Sequence, residues 1–489
     1  MNLADTKLNQ LFNPSLSHEE QTLLRCEIAA EYIQRGQYEA AREALYPYWR
    51  GTGERPDTQE LTETTTAELL LQCGTLSGWL GTAKHKQGAQ DVSKDLISEA
   101  LRLFEAQGKQ TRVAEAQYEL AICYWRTGAF DEARVVLQEA FKRSDEEQKA
   151  KIYIRSTLIE ISVNRYHEAL QILNQAESIF QTVPDALKGR WHGQMGLVLR
   201  RLGAAEGRAD YLDRAIIEFT AAIFHYEQAG HERYCGHNLN NLAMLLNRLG
   251  RYEEAHQHLD RAYNIFQALK DSGNIAQVIE TRARVFLGEK RYAEALGAIN
   301  YAVGILEQGG EQALLADALT VQAITQIRMQ DNVCSLSTFR RAIEIAENSG
   351  AMESAGLAAL SMIEEHGARF SDYEIYQVYR RADKLLATTQ DAEDIARLRA
   401  CARFVMKRLV GKNLKDEDFY LPDVMLAYEA RFVQQALEEE RGSVTKAAKR
   451  LGLSHQRFIY ILEARHRELL KKRKPAVKHR RSIIRKERN

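Results

Sequence analysis

One alanine position recurs through most of this chain at a spacing that only a stack of similar helical units can keep. Ala140, Ala176, Ala222, Ala262, Ala302 and Ala342 follow one another at intervals of 36, 46, 40, 40 and 40 residues. Aligning 121–141, 243–266 and 283–306 places Ala133, Ala255 and Ala295 at a second shared position, with Phe130, Tyr252 and Tyr292 three residues earlier. Tyr38/Ala41 and Tyr166/Ala169 are further copies. Small residues let two helices approach closely, and an aromatic just beyond a tight turn near Gly36, Gly128 or Gly250 fills the wedge between units. A hairpin of two antiparallel helices cannot cover its own apolar face, so neighbours must stack into a continuous core. Only 6 Pro occur in 489 residues, which favours long helices, and the expected class is all-α, with an array too long for one compact core.

The order of Gly/Ala, Tyr, Gly, Tyr/Phe and Ala resembles the tetratricopeptide repeat. The resemblance covers 115–142 and 237–306 best, extends to 24–46 and 150–180, and fades around 317–346. It implies a superhelical array over 1–350. The stretch from Arg50 to Leu70 reads as a surface loop leading into a helix, and an insertion around Gly203 to Asp213 accounts for the 46-residue interval. In this repeat class the first helix of each hairpin lines the concave surface. Carried over by position, that surface takes Tyr118, Trp125, Arg126, Arg200, Arg201, His237, Asn240, Met244, Asn247, Arg248, Glu280 and Arg284, and implies a peptide or protein partner in the groove. Asn240 and Asn247 lie seven residues apart on one helical face, suited either to gripping a peptide backbone or to bridging neighbouring helices. Trp125 suits packing better than ligand contact.

Residues 351–410 keep a helical period and are expected to cap the array and connect it, through a linker at 411–420, to a separate module at 421–470. There Leu426, Phe432, Val433 and Leu437 mark an amphipathic helix ending at Gly442. Ser443 is placed to cap a short helix whose Ala447 and Ala448 permit a close crossing. Gly452 suits a tight turn, and Ser454 can cap a last helix anchored by Leu453, Phe458 and Leu462. His455, Gln456, Arg457 and Tyr460 then project outward. The run GSVTKAAKRLGL followed by a polar helix is similar to the DNA-binding domain of the Fis protein and of bacterial enhancer-binding activators. That resemblance implies duplex DNA as partner, a homodimer through the helices preceding the motif, and a final helix in the major groove presenting Ser454, His455, Arg457 and Tyr460. The family usually has Arg where this chain has His455, and Lys or Arg where it has Tyr460.

From Ser443 to Asn489 there are sixteen Lys/Arg against three Asp/Glu, a formal charge of +13 in a chain whose total is zero. Lys471, Lys472, Arg473, Lys474, Arg480 and Arg481 in the basic tail at 471–489 are expected to contact phosphates or the minor groove. The first 442 residues carry −13, so the array could alternatively hold its own tail. The six cysteines are dispersed without zinc spacing and are expected to be buried small hydrophobes in a reducing compartment. No signal-length apolar leader or membrane span is evident, which points to a cytoplasmic, nucleoid-associated protein with no membrane partner. With no phosphate loop, nucleophile elbow or clustered catalytic set, neither an enzyme nor a cofactor is expected. The function that fits is a DNA-binding transcriptional regulator with a repeat-based sensing domain, the alternative being a scaffold that recruits partners to DNA without promoter control.

Overall fold

In the computed structural model of the chain, residues 16–34, 36–83, 88–389, 391–410 and 421–472 are described. The expected linker at 411–420 and the tail residues Arg473, Lys474, Arg480 and Arg481 lie outside them. Among the described residues there is no strand. The chain divides into two compact units, one of Met1–His366 with Arg381–Arg397, the other of Gly367–Arg380 with Leu398–Asn489. The stretch 351–410, expected as one connector, is thus shared between them.

Helical hairpins build the first unit: α1 (His18–Gln34) with α2 (Tyr38–Leu45), α3 (Glu63–Ala83) with α4 (Ala89–Ala106), α5 (Gln110–Arg126) with α6 (Phe130–Phe141), and α7 (Glu146–Ser162) with α8 (Tyr166–Gln175). They continue as α9 (Asp185–Glu206) with α10 (Ala209–Gln228), α11 (Glu232–Arg248) with α12 (Tyr252–Ala268), α13 (Ser272–Gly288) with α14 (Tyr292–Gln308), and α15 (Gln312–Arg328) with α16 (Asn332–Asn348). α17 (Met352–His366) packs on α15 and α16 and carries the stacking past residue 350. From α11 to α17 every helix starts 20 residues after the last, which is the physical origin of the 40-residue alanine interval. The insertion expected at 203–213 is mostly helical. Its residues lengthen α9 and α10 to 22 and 20 residues, because Ala204, Ala205 and Glu206 are good helix formers and only Gly207, at φ 67°, breaks the run.

The turns are fixed by backbone bonds rather than by glycine alone. At the α11–α12 corner Gly250 N–H donates to Asn247 O and Arg251 N–H to Leu246 O, with Gly250 at φ 73°. Lys270, Lys290 and Gln330, 20 and then 40 residues apart, hold the same left-handed conformation at φ 54°, 63° and 67°. The closing bonds at these corners offset a penalty of about 1–2 kcal/mol for a residue with a Cβ.

Both alanine positions are wholly buried: Ala133, Ala255 and Ala295, and Ala140, Ala176, Ala222, Ala262, Ala302 and Ala342. A third small position is set by its partner. A Cβ on Gly236 would lie 2.7 Å from the Phe266 ring, and one on Gly356 would lie 2.5 Å from Leu386. At the same register Ala276 and Ala316 stand against positions held by Leu306 and Ala346, all buried. Helix separation is therefore set repeat by repeat through matched side-chain sizes. Outside, Arg261–Glu227 at 2.5 Å, Arg341–Glu307 at 2.7 Å and Arg381–Glu347 at 2.7 Å form a ladder at 34-residue separations. Such exposed pairs are each worth only about 0–1 kcal/mol and serve register more than stability. Cys334 departs from the expectation of buried cysteines: it is exposed in the first turn of α16, while the other five are buried.

In the second unit, α20 (Leu421–Glu439), α21 (Val444–Arg450) and α22 (His455–Ala464) close around a small core completed by the 3₁₀ turn Arg467–Lys472. α18 (Asp372–Leu385) and α19 (Ala392–Val410) each begin in one unit and end in the other.

Candidate functional site

The core of the C-terminal module is made by Val433 and Leu437 from α20, Ala447 and Ala448 from α21, Phe458, Ile461 and Leu462 from α22, and Leu469. Ala447 and Ala448 are at most 1 % exposed, so α20 and α21 pack with little side chain between them. Gly452, at φ 67°, turns the chain into α22, and Leu453 N–H closes the corner on Ala448 O at 2.8 Å. Ser454 caps α22, its Oγ accepting from Arg457 N–H at 3.2 Å. Ser443, expected to cap α21, occupies the cap position but makes no side-chain capping bond.

Phe458 is completely buried, and that anchor fixes which face of α22 is free. Ser454, His455, Gln456, Arg457 and Tyr460 are all exposed, Tyr460 by 63 %. All five predicted residues of the cap and first turns are thus open to solvent. Thr445 Oγ1 lies 3.2 Å from His455 Nδ1 and ties the start of α22 to α21. Lys471 is exposed in the closing 3₁₀ turn, which also holds Lys472.

Sequence reasoning missed His466. It is buried, with Nε2 3.0 Å from Glu429 Oε2, and Arg465 Nη1 donates to Glu429 Oε1 at 3.2 Å. These contacts fasten the segment after α22 to α20, and no periodic signal marks them. The apolar residues of α20 divide into two sets. Val433 and Leu437 enter the core, whereas Met425, Leu426 and Phe432 are 43 %, 41 % and 46 % exposed, with Tyr428 edge-on to Phe432 at 4.9 Å.

In the repeat unit the first helices of the hairpins carry a run of arginines and aromatics. Tyr118 is buried and Trp125 half-buried. Arg155, not foreseen, lies 5.8 Å and 5.0 Å from their ring centres, and Trp125 Nε1 donates to Ser162 Oγ at 2.8 Å. Arg126 stacks at 3.8 Å over Trp79, which is itself stacked on Tyr38. Burial pushes the Glu119 carboxyl up to about 7, Glu115 adding to the effect and Arg155 and Arg126 opposing it. His237 packs edge-on to Phe266 at 5.2 Å, and burial lowers its pKa. Met244 is half-buried, and Glu280 accepts from Arg284 Nε within α13. Asn240 Oδ1 is buried without a hydrogen-bond partner, and Asn247 stands against Gly288.

Arg200, Arg201 and Arg248 form one electrostatic group with two acidic residues absent from the sequence-based set, Asp391 and Glu393. Burial pulls Arg200 down to about 10, Arg201 adding to this and Glu393 opposing it. Arg201 Nη1 donates to Asp391 Oδ2 at 3.4 Å, and Arg248 Nη1 to Glu393 Oε1 at 3.1 Å. Among the described residues no group of His, Cys, Asp and Glu could hold a metal ion, and no helix is long and apolar enough to cross a membrane.

Comparison with known proteins agrees with both parts of this geometry. Residues 236–308 and 114–139 match models of the tetratricopeptide repeat, and residues 427–460 match the model described as bacterial regulatory protein, Fis family. No curated protein matches the chain. Among solved structures, the apo form of the quorum sensor NprR from B. thuringiensis is 14 % identical, covering 70 % of this chain and 92 % of its own, with a TM-score of 0.50. Aspartyl phosphate phosphatase F from Bacillus subtilis is 13 % identical, covering 78 % and 96 %, with a TM-score of 0.47. A signal transduction ATPase with a tetratricopeptide repeat sensor from Pyrococcus horikoshii is 14 % identical, covering 84 % and 67 %, with a TM-score of 0.45. At these identities the likeness is one of fold.

Proposed function

We propose that this chain, a tetratricopeptide-repeat array followed by a Fis-type helix-turn-helix, is a non-enzymatic DNA-binding regulator whose array receives a protein or peptide signal. The observation that carries the reading is the free face of α22: Ser454, His455, Gln456, Arg457 and Tyr460 stand exposed on a helix whose opposite side is pinned by a fully buried Phe458. A helix held that rigidly, with polar and cationic side chains in its first turns, can enter a major groove and set its donors against base edges. The electropositive sequence after Ser443 adds phosphate affinity. His455 and Tyr460 replace cations usual in the family, so base choice falls chiefly to Arg457 and Gln456, with Tyr460 offering an apolar edge and a hydroxyl.

The exposed Met425, Leu426 and Phe432 on α20 support pairing of two copies through that helix, as the Fis resemblance implies. Two recognition helices would then read two half-sites about one helical turn apart. A site in the nucleoid of a cytoplasmic protein follows from the same reading.

Arg457→Ala tests the assignment. If the guanidinium reads a base, the gap between preferred and random duplex in a fluorescence titration narrows by about 1–3 kcal/mol. Equal losses on both duplexes would reassign Arg457 to a phosphate.

A further inference from the structure

The arginines that line the middle of the repeat interior are met by the chain's own acidic segment. Asp391 is 4 % exposed at the N-terminus of α19, where its Oδ1 accepts from the N–H groups of Glu393 and Asp394 at 2.9 and 3.1 Å. Its other oxygen is 3.4 Å from both Arg201 Nη1 and the Tyr166 hydroxyl, which also donates to Asn164 Oδ1 at 2.7 Å. Glu393 reaches Arg248 on α11. Some 190 residues separate Arg201 from Asp391, so this contact is a docking event between distant parts of the repeat unit and not a local turn.

The docking is incompletely satisfied. Arg200 Nε is buried with no hydrogen-bond partner, and the Arg201–Asp391 contact is long for a charged pair. A cavity of about 160 Å³ lies between Tyr166, Arg201, Ala205, Asp391 and Glu393, enough for several waters or an additional side chain. Asp394 is 8 % exposed beside Asp391 and Glu353, and burial, with those two charges adding to it, raises its carboxyl to about 7. Two buried carboxyl groups, Asp391 and Asp394, and the partly exposed Glu393 thus stand beside three guanidinium groups, with like charges crowded together. Such a contact is suited to exchange, because a ligand with better spaced carboxylates would relieve the crowding and satisfy Arg200.

We propose that Arg200, Arg201 and Arg248 form a carboxylate-binding site for an acidic peptide segment of a protein partner, and that Asp391–Glu393 is an internal occupant which competes with that segment. This rests on the reading that the repeat interior receives a protein or peptide signal, and it supplies the chemistry of the signal. Release of Asp391 frees the first turn of α19, whose residues from Leu398 belong to the second unit, so ligand binding acts on one of the two helices shared between the units.

The probe is an amidated peptide of residues 389–395 carrying fluorescein on its N-terminal amine, with a counterpart carrying Asp391→Asn, Glu393→Gln and Asp394→Asn. Fluorescence anisotropy is read with the full chain and with the full chain carrying Asp391→Asn/Glu393→Gln, in which Asn keeps the helix cap. The variant chain should bind the charged peptide about tenfold more tightly than the unmodified chain, since the competitor is no longer held in place. Binding should weaken as salt rises, and adding Arg201→Gln/Arg248→Gln should abolish it, whereas Arg201→Lys/Arg248→Lys should retain part of it. Equal affinity of the two chains for the peptide, equal affinity for the charged peptide and its counterpart, or equal losses with Gln and Lys at unchanged melting temperature would each overturn the proposal. A duplex-DNA titration on the same samples separates the two readings: lost peptide binding with intact DNA binding strikes this site alone, and the reverse strikes the DNA-binding assignment alone.

Discussion

Replacing Phe458 with Ala should abolish DNA binding while leaving the repeat array folded. Phe458 is the largest fully buried side chain of the C-terminal module and touches a core of only a few residues, among them Ala447, Ala448 and Leu462. Truncating a buried Phe costs about 3–5 kcal/mol. A module of about 50 residues has only about 3–8 kcal/mol of stability to lose. Once the core opens, α22 no longer presents Arg457 and Tyr460 as a fixed surface. The four tryptophans, Trp49, Trp79, Trp125 and Trp191, all lie in the array, so tryptophan fluorescence follows that unit alone. The expected result is an unchanged tryptophan melting curve, loss of DNA binding, and new protease cleavage between 421 and 472. Retained binding within about tenfold, roughly 1.4 kcal/mol, would show that the recognition face does not depend on this core.

Gly236→Val should destabilise the array by about 1–3 kcal/mol, although Val is the better helix former by a few tenths. The cause is Phe266: even the first added carbon would sit 2.7 Å from its ring, inside a site where Phe266 is 1 % exposed. Since the fault is one of matched sizes, it should reverse when the partner shrinks. In a Phe266→Leu background, Gly236→Ala recreates the combination found one repeat later at Ala276 and Leu306 and should raise the urea midpoint of tryptophan fluorescence. A Gly236→Val chain with an unchanged midpoint, or a double variant whose losses simply add, would mean that this contact does not set helix separation.

Much of this was legible in the sequence because it depends on local period. The burial of Ala133, Ala255 and Ala295 follows from one phase of a helical pattern, and Tyr252 and Tyr292 start their helices at the expected side of the turn. The same holds for the module, where Phe458 and Leu462, four residues apart, had to face inward and so freed Arg457 and Tyr460. Three kinds of feature were not legible. The 46-residue interval signals extra residues around 203–213 but not that 203–206 continue as helix, which rests on local propensity and on where Gly207 falls. Leu426, Phe432, Val433 and Leu437 form one apolar stripe in the sequence, and the stripe alone does not say that only Val433 and Leu437 enter the core while Leu426 and Phe432 stay exposed. The contacts of Arg201 with Asp391 and of Arg248 with Glu393 join residues 190 and 145 positions apart, a separation at which neither helical period nor turn chemistry carries information.

The central claim, that the exposed face of α22 reads duplex DNA, is tested most directly by letting the full-length chain select duplexes from a random pool and sequencing what it retains. The account predicts enrichment of one defined site with two related half-sites about one helical turn apart, and loss of its defined positions when the selection is repeated with Arg457→Ala. Retention of the pool without any enriched sequence, or the same site selected by both chains, would contradict it.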